Sequence, residues 1–260
     1  MLNRRAADSL RRYHDFLTQK AKGKVVDFVG FEVDPTWKGA NDLLLSDPFA
    51  FLLAVIYDQR QRAESAWRYP HILKGRLGHL SPQRIAEMRL IDLDYVFAQY
   101  PRLRYWRMGS ARTLRAAEMV CSRYGDDASA IWLRDNPTPR EIHMRLEEFD
   151  GIAQKKASMA ANILVRDLGS VRVPEASLSE IDVSYDRHVR RVFLRAGLAT
   201  EDSEDAMVEA ARRLSPDYPG ALDLPAWVIG REHCSNASPR CEACPIHGDC
   251  ARLIQYTIAE

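Results

Sequence analysis

The sequence predicts an all-α protein, and three observations carry that expectation. Apolar residues recur at helical spacing in one segment after another, and several of these segments open on a capping residue or an X-Pro pair. A single run, residues 25–33 (Val25, Val26, Phe28, Val29, Phe31, Val33), reads as strand or loop, and no second run pairs with it convincingly. No internal repeat or low-complexity tract interrupts the pattern. The 260 residues allow one large or two small domains, and the 46% hydrophobic content supplies an ordinary core. No apolar run approaches the roughly twenty residues of a membrane span. The start Met1-Leu2-Asn3-Arg4-Arg5 lacks the apolar stretch of a signal peptide. The expectation is a soluble cytoplasmic protein without a membrane partner. Lys and Arg number 37 against 36 Asp and Glu, a net charge of +1. Any nucleic-acid surface must therefore concentrate its positive charge locally.

In chain order, Leu10, Tyr13 and Leu17 give residues 4–21 one apolar face. Asp47-Pro48 starts a helix with a capping carboxylate and a proline in the first turn. The apolar run Phe49 to Tyr57 follows, until Asp58-Gln59-Arg60-Gln61-Arg62 interrupts it, and Tyr69-Pro70 closes the segment. Ser81-Pro82 opens another helix with Ile85 and Met88 inward. Residues 111–123 form a third, with Leu114, Ala117 and Cys121 on one stripe; Cys121, alone in mid-helix, reads as a small core residue. Thr138-Pro139 starts a helix lined by Ile142, Leu146 and Phe149, which stops at the turn signal Asp150-Gly151. A new helical run begins at once, and its Ala157, Ser158, Ala160 and Ala161 let a neighbour approach closely. Two helices joined so tightly make a hairpin. Further helices are expected at 186–196, 203–214 and 223–232, roughly ten in all.

Four of the five cysteines fall in Cys234-x6-Cys241-x2-Cys244-x5-Cys250. Disulfides fit poorly with an intracellular chain. Structural zinc usually presents two close pairs across a longer gap, whereas only one pair is close here. An iron–sulfur cluster needs four thiolates around one compact body. Spacing alone leaves zinc and a cluster both open.

Three other stretches hold groups with chemical potential. A helix start after the Gly151 turn exposes backbone N–H groups that suit a phosphate, although the same residues also make a plain helical connection with two solvated lysines, Lys155 and Lys156. Asp186 precedes the helical face Val189, Val192 and Phe193, where a carboxylate is either a plain N-cap or a catalytic group. The block from Asp58 to Arg62 reads as a solvated helix end or as a polar contact surface.

Taken together these stretches resemble, in order, the motifs of the endonuclease III family within the helix-hairpin-helix DNA glycosylases. The cysteine spacing is that family's [4Fe–4S] loop. The segment from Phe149 to Ala157 is similar to its hairpin Leu-Pro-Gly-Val-Gly-Arg-Lys-Thr-Ala. Gly151, Ile152, Lys155 and Ala157 match in register, Asp150 replaces the proline and Ala153 the second glycine. The pattern Val-Asp-x-His-Val-x-Arg-Val is met by Asp186, His188, Val189, Arg191 and Val192, with Tyr185 for the first Val; nothing downstream of Asp182 fits.

The resemblance runs from about Pro48 to Cys250, and what it implies is specific. The fold is a two-domain helix-hairpin-helix glycosylase fold with an iron–sulfur loop. Residues 40–169 carry the hairpin, and 1–39 plus 170–260 fold around a [4Fe–4S] cluster held by Cys234, Cys241, Cys244 and Cys250. Double-stranded DNA lies across the cleft between the domains, where Lys155 and Asp186 face each other. Lys155 is the amine that attacks C1′ of the sugar, with Lys156 turned about 100° away on the helix. Asp186 stabilises the positive charge that develops on the sugar, and His188 is structural. Gln59 fills the gap left by the extruded base, Arg60 and Arg62 meet phosphates, and Gly151, Ala153 and Gln154 approach the backbone at the hairpin. The activity implied is that of a monomeric base-excision glycosylase with AP-lyase activity, with an oxidised pyrimidine as the default substrate. A monofunctional enzyme using Asp186 and water, and a non-catalytic iron–sulfur DNA-binding protein, are the alternatives.

Overall fold

A computed structural model of the chain describes residues 2–21, 38–99, 105–167 and 171–258. Among them the regular elements are all helical, as the apolar spacing requires, and the run 25–33 lies outside the described residues. The α-helices are α1 (Arg4–Ala21), α2 (Lys38–Ser46), α3 (Pro48–Tyr57), α4 (Ala63–Leu77), α5 (Pro82–Ala86), α6 (Leu90–Ala98) and α7 (Trp106–Tyr124). They continue with α8 (Ala130–Leu133), α9 (Pro139–Glu147), α10 (Gln154–Asn162), α11 (Arg187–Ala196), α12 (Glu204–Leu214) and α13 (Asp223–Glu232). Two compact units divide them: Gly23–Pro137 with Met144–Lys156, and Met1–Lys22 with Thr138–His143 and Ala157–Glu260.

The first unit is built round α3. Phe49 through Tyr57 are all buried, as befits a helix that is apolar on every side. Asp47 starts it as expected, its carboxylate accepting from the N–H groups of Phe49 and Ala50 at 3.0 and 3.1 Å. Phe51 meets Trp67 and Trp132 edge-on, and Tyr57 does the same with Tyr69 and Phe97. The Tyr57 and Thr113 hydroxyls, both buried, are 2.5 Å apart and join α3 to α7.

Two expectations fail in this unit. Pro70 does not close a segment, because α4 runs through it to Leu77. Burial of Trp67, Tyr69 and Leu73 on the same helix outweighs the roughly 3 kcal/mol that an interior proline costs. Helix α7 starts at Trp106, earlier than the expected residue 111, and its buried stripe is Gly109, Thr113, Ala116, Ala117, Val120 and Tyr124. Leu114 and Cys121 are only partly buried, because small and hydroxylated residues make the close side.

In the second unit, α11 buries Val189, Val192, Phe193, Leu194 and Ala196 in a cluster with Ala6, Ala7 and Leu10 of α1, Met207 and Ala211 of α12, and Ala226 and Ile229 of α13. The three late helices fall where expected. Gly230 lets α13 meet α11, since a Cβ there would stand 2.5 Å from the His188 carbonyl oxygen. Asp223 ties in the chain before α11, accepting from the Ser184 N–H at 2.7 Å and its hydroxyl at 2.6 Å. From Cys234 to Ile258 the chain is irregular except for one 3-10 turn, Cys241–Ala243.

Candidate functional site

The hairpin lies between α9 and α10. Thr138 and Glu141 start α9 with a capping box: the Thr138 N–H donates to the Glu141 carboxylate at 2.7 Å, and the Glu141 N–H to the Thr138 hydroxyl at 3.3 Å. Ile142, Leu146 and Phe149 are buried as expected. Gly151 turns the chain at φ +89°, a conformation that side chains oppose. A Cβ there would also stand 2.6 Å from Cζ and Nε of Arg112. After this turn Ala153 is exposed, Gln154 is half-buried, and Lys155 and Lys156 stand on the first turn of α10.

The two lysines diverge. The Lys155 side chain is 36% exposed, and its Nζ lies 4.0 Å from Oδ2 of Asp58. Lys156 is 7% exposed. Its Nζ donates at 2.6 Å to the Ile56 carbonyl, in the last turn of α3, where the helix dipole favours a cation. Burial nonetheless lowers its pKa to about 7; Asp58 pulls upward, while Arg112 and Lys155 add to the fall.

The block after α3 sits beside the hairpin. Asp58, 9% exposed, is the C-cap of α3, its N–H donating to the Ala54 and Val55 carbonyls. Gln59 accepts a hydrogen bond from Nη1 of Arg112, and the Gln61 amide donates to the Tyr57 carbonyl at 2.6 Å. Arg60 and Arg62 are exposed, Arg60 at φ +48°. Gln59, Gln61, Tyr57, Tyr105, Met108 and Arg112 line part of a shallow cavity of about 280 Å³, counting its open side. Arg112 also faces the turn, its Nε lying 3.4 Å from Oδ1 of Asp150. Sequence reading missed this arginine, which lies in mid-helix with no motif around it.

Asp186 is in the other unit. It is the N-cap of α11, 7% exposed, and its Oδ1 accepts the His188 N–H at 2.8 Å. His188 lies edge-on to Trp227 with Nδ1 3.0 Å from Nη2 of Arg191, and burial lowers its pKa. Asp182 is held by Arg212 through two hydrogen bonds of 2.8 and 2.7 Å.

In that same unit Cys234, Cys241, Cys244 and Cys250 line one cavity of about 360 Å³, counting its open side, with Val192, Ala196, Ile229 and Ile246 among its walls. Nη1 of Arg195 lies 3.6 Å from Sγ of Cys234, and the Arg252 N–H lies 3.4 Å from Sγ of Cys250. Burial pushes the Cys244 thiol up to about 11 and raises Cys250 as well. Arg195, 1% exposed, directs its remaining donors to the carbonyls of Tyr256, Ser235 and Asn236. Among the described residues no group of three or more His, Cys, Asp or Glu is arranged to hold a metal ion. The thiols instead surround a space with N–H donors aimed at two of the sulfurs, an arrangement that fits a cluster.

No protein-family model matches the chain, and neither does any curated protein. Solved structures do. A non-covalent endonuclease III–DNA complex is similar at a TM-score of 0.63 and 17% identity, covering 97% of this chain and 97% of that one. A trapped endonuclease III–DNA covalent intermediate, an estranged-adenine complex, has a TM-score of 0.58 at 17% identity over 86% of this chain and 97% of that one. A thermostable thymine-DNA glycosylase has a TM-score of 0.62 at 12% identity over 96% of this chain and 98% of that one. The chain thus has the fold of the endonuclease III-like helix-hairpin-helix DNA glycosylases.

Proposed function

We propose that this protein is a base-excision DNA glycosylase that acts on a damaged base turned out of duplex DNA, and that Lys155 and Asp186 carry the chemistry. The observation that carries the reading is the placement of Lys155. It stands on the first turn of α10, directly after the Gly151 turn, with 36% of its side chain open to solvent and a carboxylate, Asp58, 4.0 Å from its nitrogen. The neighbouring amine of Lys156 is closed off and spent on the Ile56 carbonyl. Support for the substrate class comes from the shared fold, since the similar solved structures are DNA glycosylases, two of them DNA complexes of endonuclease III.

The steps assign one task to each group. Asp58 holds the ammonium of Lys155, and its carboxylate accepts the proton that the ammonium gives up. The free amine then attacks C1′, and the glycosidic bond breaks with its electron pair leaving on the base, which gains a proton. Asp186, whose charge is already committed at the start of α11, stabilises the positive charge on the sugar as that bond breaks. The bond from C1′ to the ring oxygen then breaks with its electron pair leaving on that oxygen, which takes up the proton released by the attacking nitrogen. The nitrogen lone pair closes the Schiff base from which the strand is nicked. Gln59 fills the vacated place in the duplex. The default substrate is an oxidised pyrimidine, and the protein works as a monomer. One observation favours the monofunctional reading: Lys155 is engaged in an ion pair with Asp58 at 4.0 Å, and with that amine occupied water would be the nucleophile.

The same reading gives Cys234, Cys241, Cys244 and Cys250 a [4Fe–4S] cluster. Bound there, the cluster supplies folding energy by tying the irregular stretch after α13 into one body. No step of the base excision involves it.

Duplexes that each hold one damaged base test the proposal. Base release with strand nicking is the expected result for at least one duplex. Release without nicking selects the monofunctional reading. Binding without release from any duplex rejects an enzyme and leaves a DNA-binding protein. Asp186→Asn, which keeps the cap on α11 because asparagine also caps, should lose base release and retain DNA binding.

A further inference from the structure

Asp150 stands at the turn of the hairpin, where related hairpins carry proline, and its charge opposes a DNA phosphate. It is not left to solvent. Nη2 of Arg115 donates to its Oδ2, and Nε of Arg112 lies 3.4 Å from its Oδ1. The two arginines are three residues apart on α7 and so share a face. Arg112 is packed on Gly151, with 15% of its side chain exposed; Arg115 and Asp150 are 53% and 44% exposed. Arg112 Nε is buried and makes no hydrogen bond, so the carboxylate leaves one donor of the pair unused. A phosphodiester presents two charged oxygens as a carboxylate does, but it sets them farther apart on tetrahedral phosphorus, which suits two separate guanidiniums. The Arg115–Asp150 pair is exposed, and exposed pairs contribute little to stability, so little opposes its exchange.

We propose that Arg112 and Arg115 form a binding fork for a DNA backbone phosphodiester, and that the Asp150 carboxylate fills the fork until the phosphate displaces it. The proposal rests on the DNA-binding reading given above and adds a site to it. It also answers the charge balance of a chain with a net charge of only +1: positive charge at the hairpin becomes available where a phosphate arrives. Because Nη1 of Arg112 holds Gln59, one guanidinium serves both the backbone contact and the residue assigned to the gap in the duplex.

The test is the affinity of the full-length protein for a duplex with a stable abasic-site analogue, measured by fluorescence anisotropy over a range of salt concentrations. Asp150→Asn should tighten binding about tenfold, and Asp150→Ser, which also keeps a turn-forming side chain, should do the same. Arg115→Gln should weaken binding about tenfold and lower the salt slope by about one. In the Arg115→Gln background, Asp150→Asn should gain threefold or less. Equal gains in both backgrounds would mean that Asp150 merely repels DNA at a distance, and would overturn the fork. An unchanged affinity for both Asp150 variants would overturn it while the DNA-binding reading stands. Failure of the wild-type protein to bind the duplex would overturn both.

Discussion

Lys156 sets an unusual condition on stability. Its pKa falls from 10.5 to about 7 on folding because the amine is buried, with Asp58, Arg112, Lys155 and Asp150 around it. Between those two values the unfolded chain binds a proton that the folded chain releases, so this residue makes stability rise with pH from 7 to 10.5 and level off below 7. At about 1.4 kcal/mol per pH unit the span is on the order of 5 kcal/mol. Urea unfolding at pH 7 and pH 9.5 should show wild type gaining on Lys156→Met as pH rises; parallel curves would mean that the amine stays charged. The neighbouring residues show why some of the site was legible and some was not. Lys155, Asp186 and the four cysteines could be singled out as candidates because each sits in a short stretch whose spacing is read directly from sequence. The burial of Lys156 was not, because its partner Ile56 is a hundred residues away in sequence. Arg112 was missed for the same reason: both Gln59 and Asp150 reach it only after folding.

Elements start and stop where local chemistry dictates, and fail to where packing overrides it. Asp47 starts α3 and Ser203 starts α12 through side-chain caps that can be read directly from sequence. Asp47→Ala should cost about 1 kcal/mol in chemical denaturation, and no loss would mean that the cap is dispensable on so buried a helix. Pro70 was misread because its penalty is local, while the burial that offsets it is collective. The stripe on α7 was misread because much of its buried side is small or hydroxylated (Gly109, Ser110, Thr113, Ala116), so a search for large apolar residues picks the wrong side. The hairpin turn was legible in Asp150-Gly151, and its requirement for glycine is double. Gly151→Ala must accept φ +89°, which costs about 1–3 kcal/mol, and must move the Arg112 guanidinium as well. It should lower stability by more than the strain alone and loosen DNA binding; a neutral effect would show that the turn can be rebuilt.

On the scale of the whole molecule, periodicity gave an all-helical protein, but only the motifs gave its kind. The helices alone are compatible with many folds, and composition with its near-zero net charge points away from DNA. The stretch after α13 has few helical hydrogen bonds, and on the proposed reading a cluster on its four thiols would hold it together. Iron removal by an oxidant and chelator should bleach a brown protein and expose residues 234–258 to protease first, with a fall in melting temperature. A colourless protein with stoichiometric zinc after anaerobic preparation would contradict the cluster. The central claim is that one particular amine forms the covalent bond to the sugar. Borohydride trapping on a damaged duplex tests it most directly. The account predicts a covalent protein–DNA adduct with wild type and with Lys156→Met, and none with Lys155→Ala. An adduct that survives Lys155→Ala and disappears in Lys156→Met would contradict it.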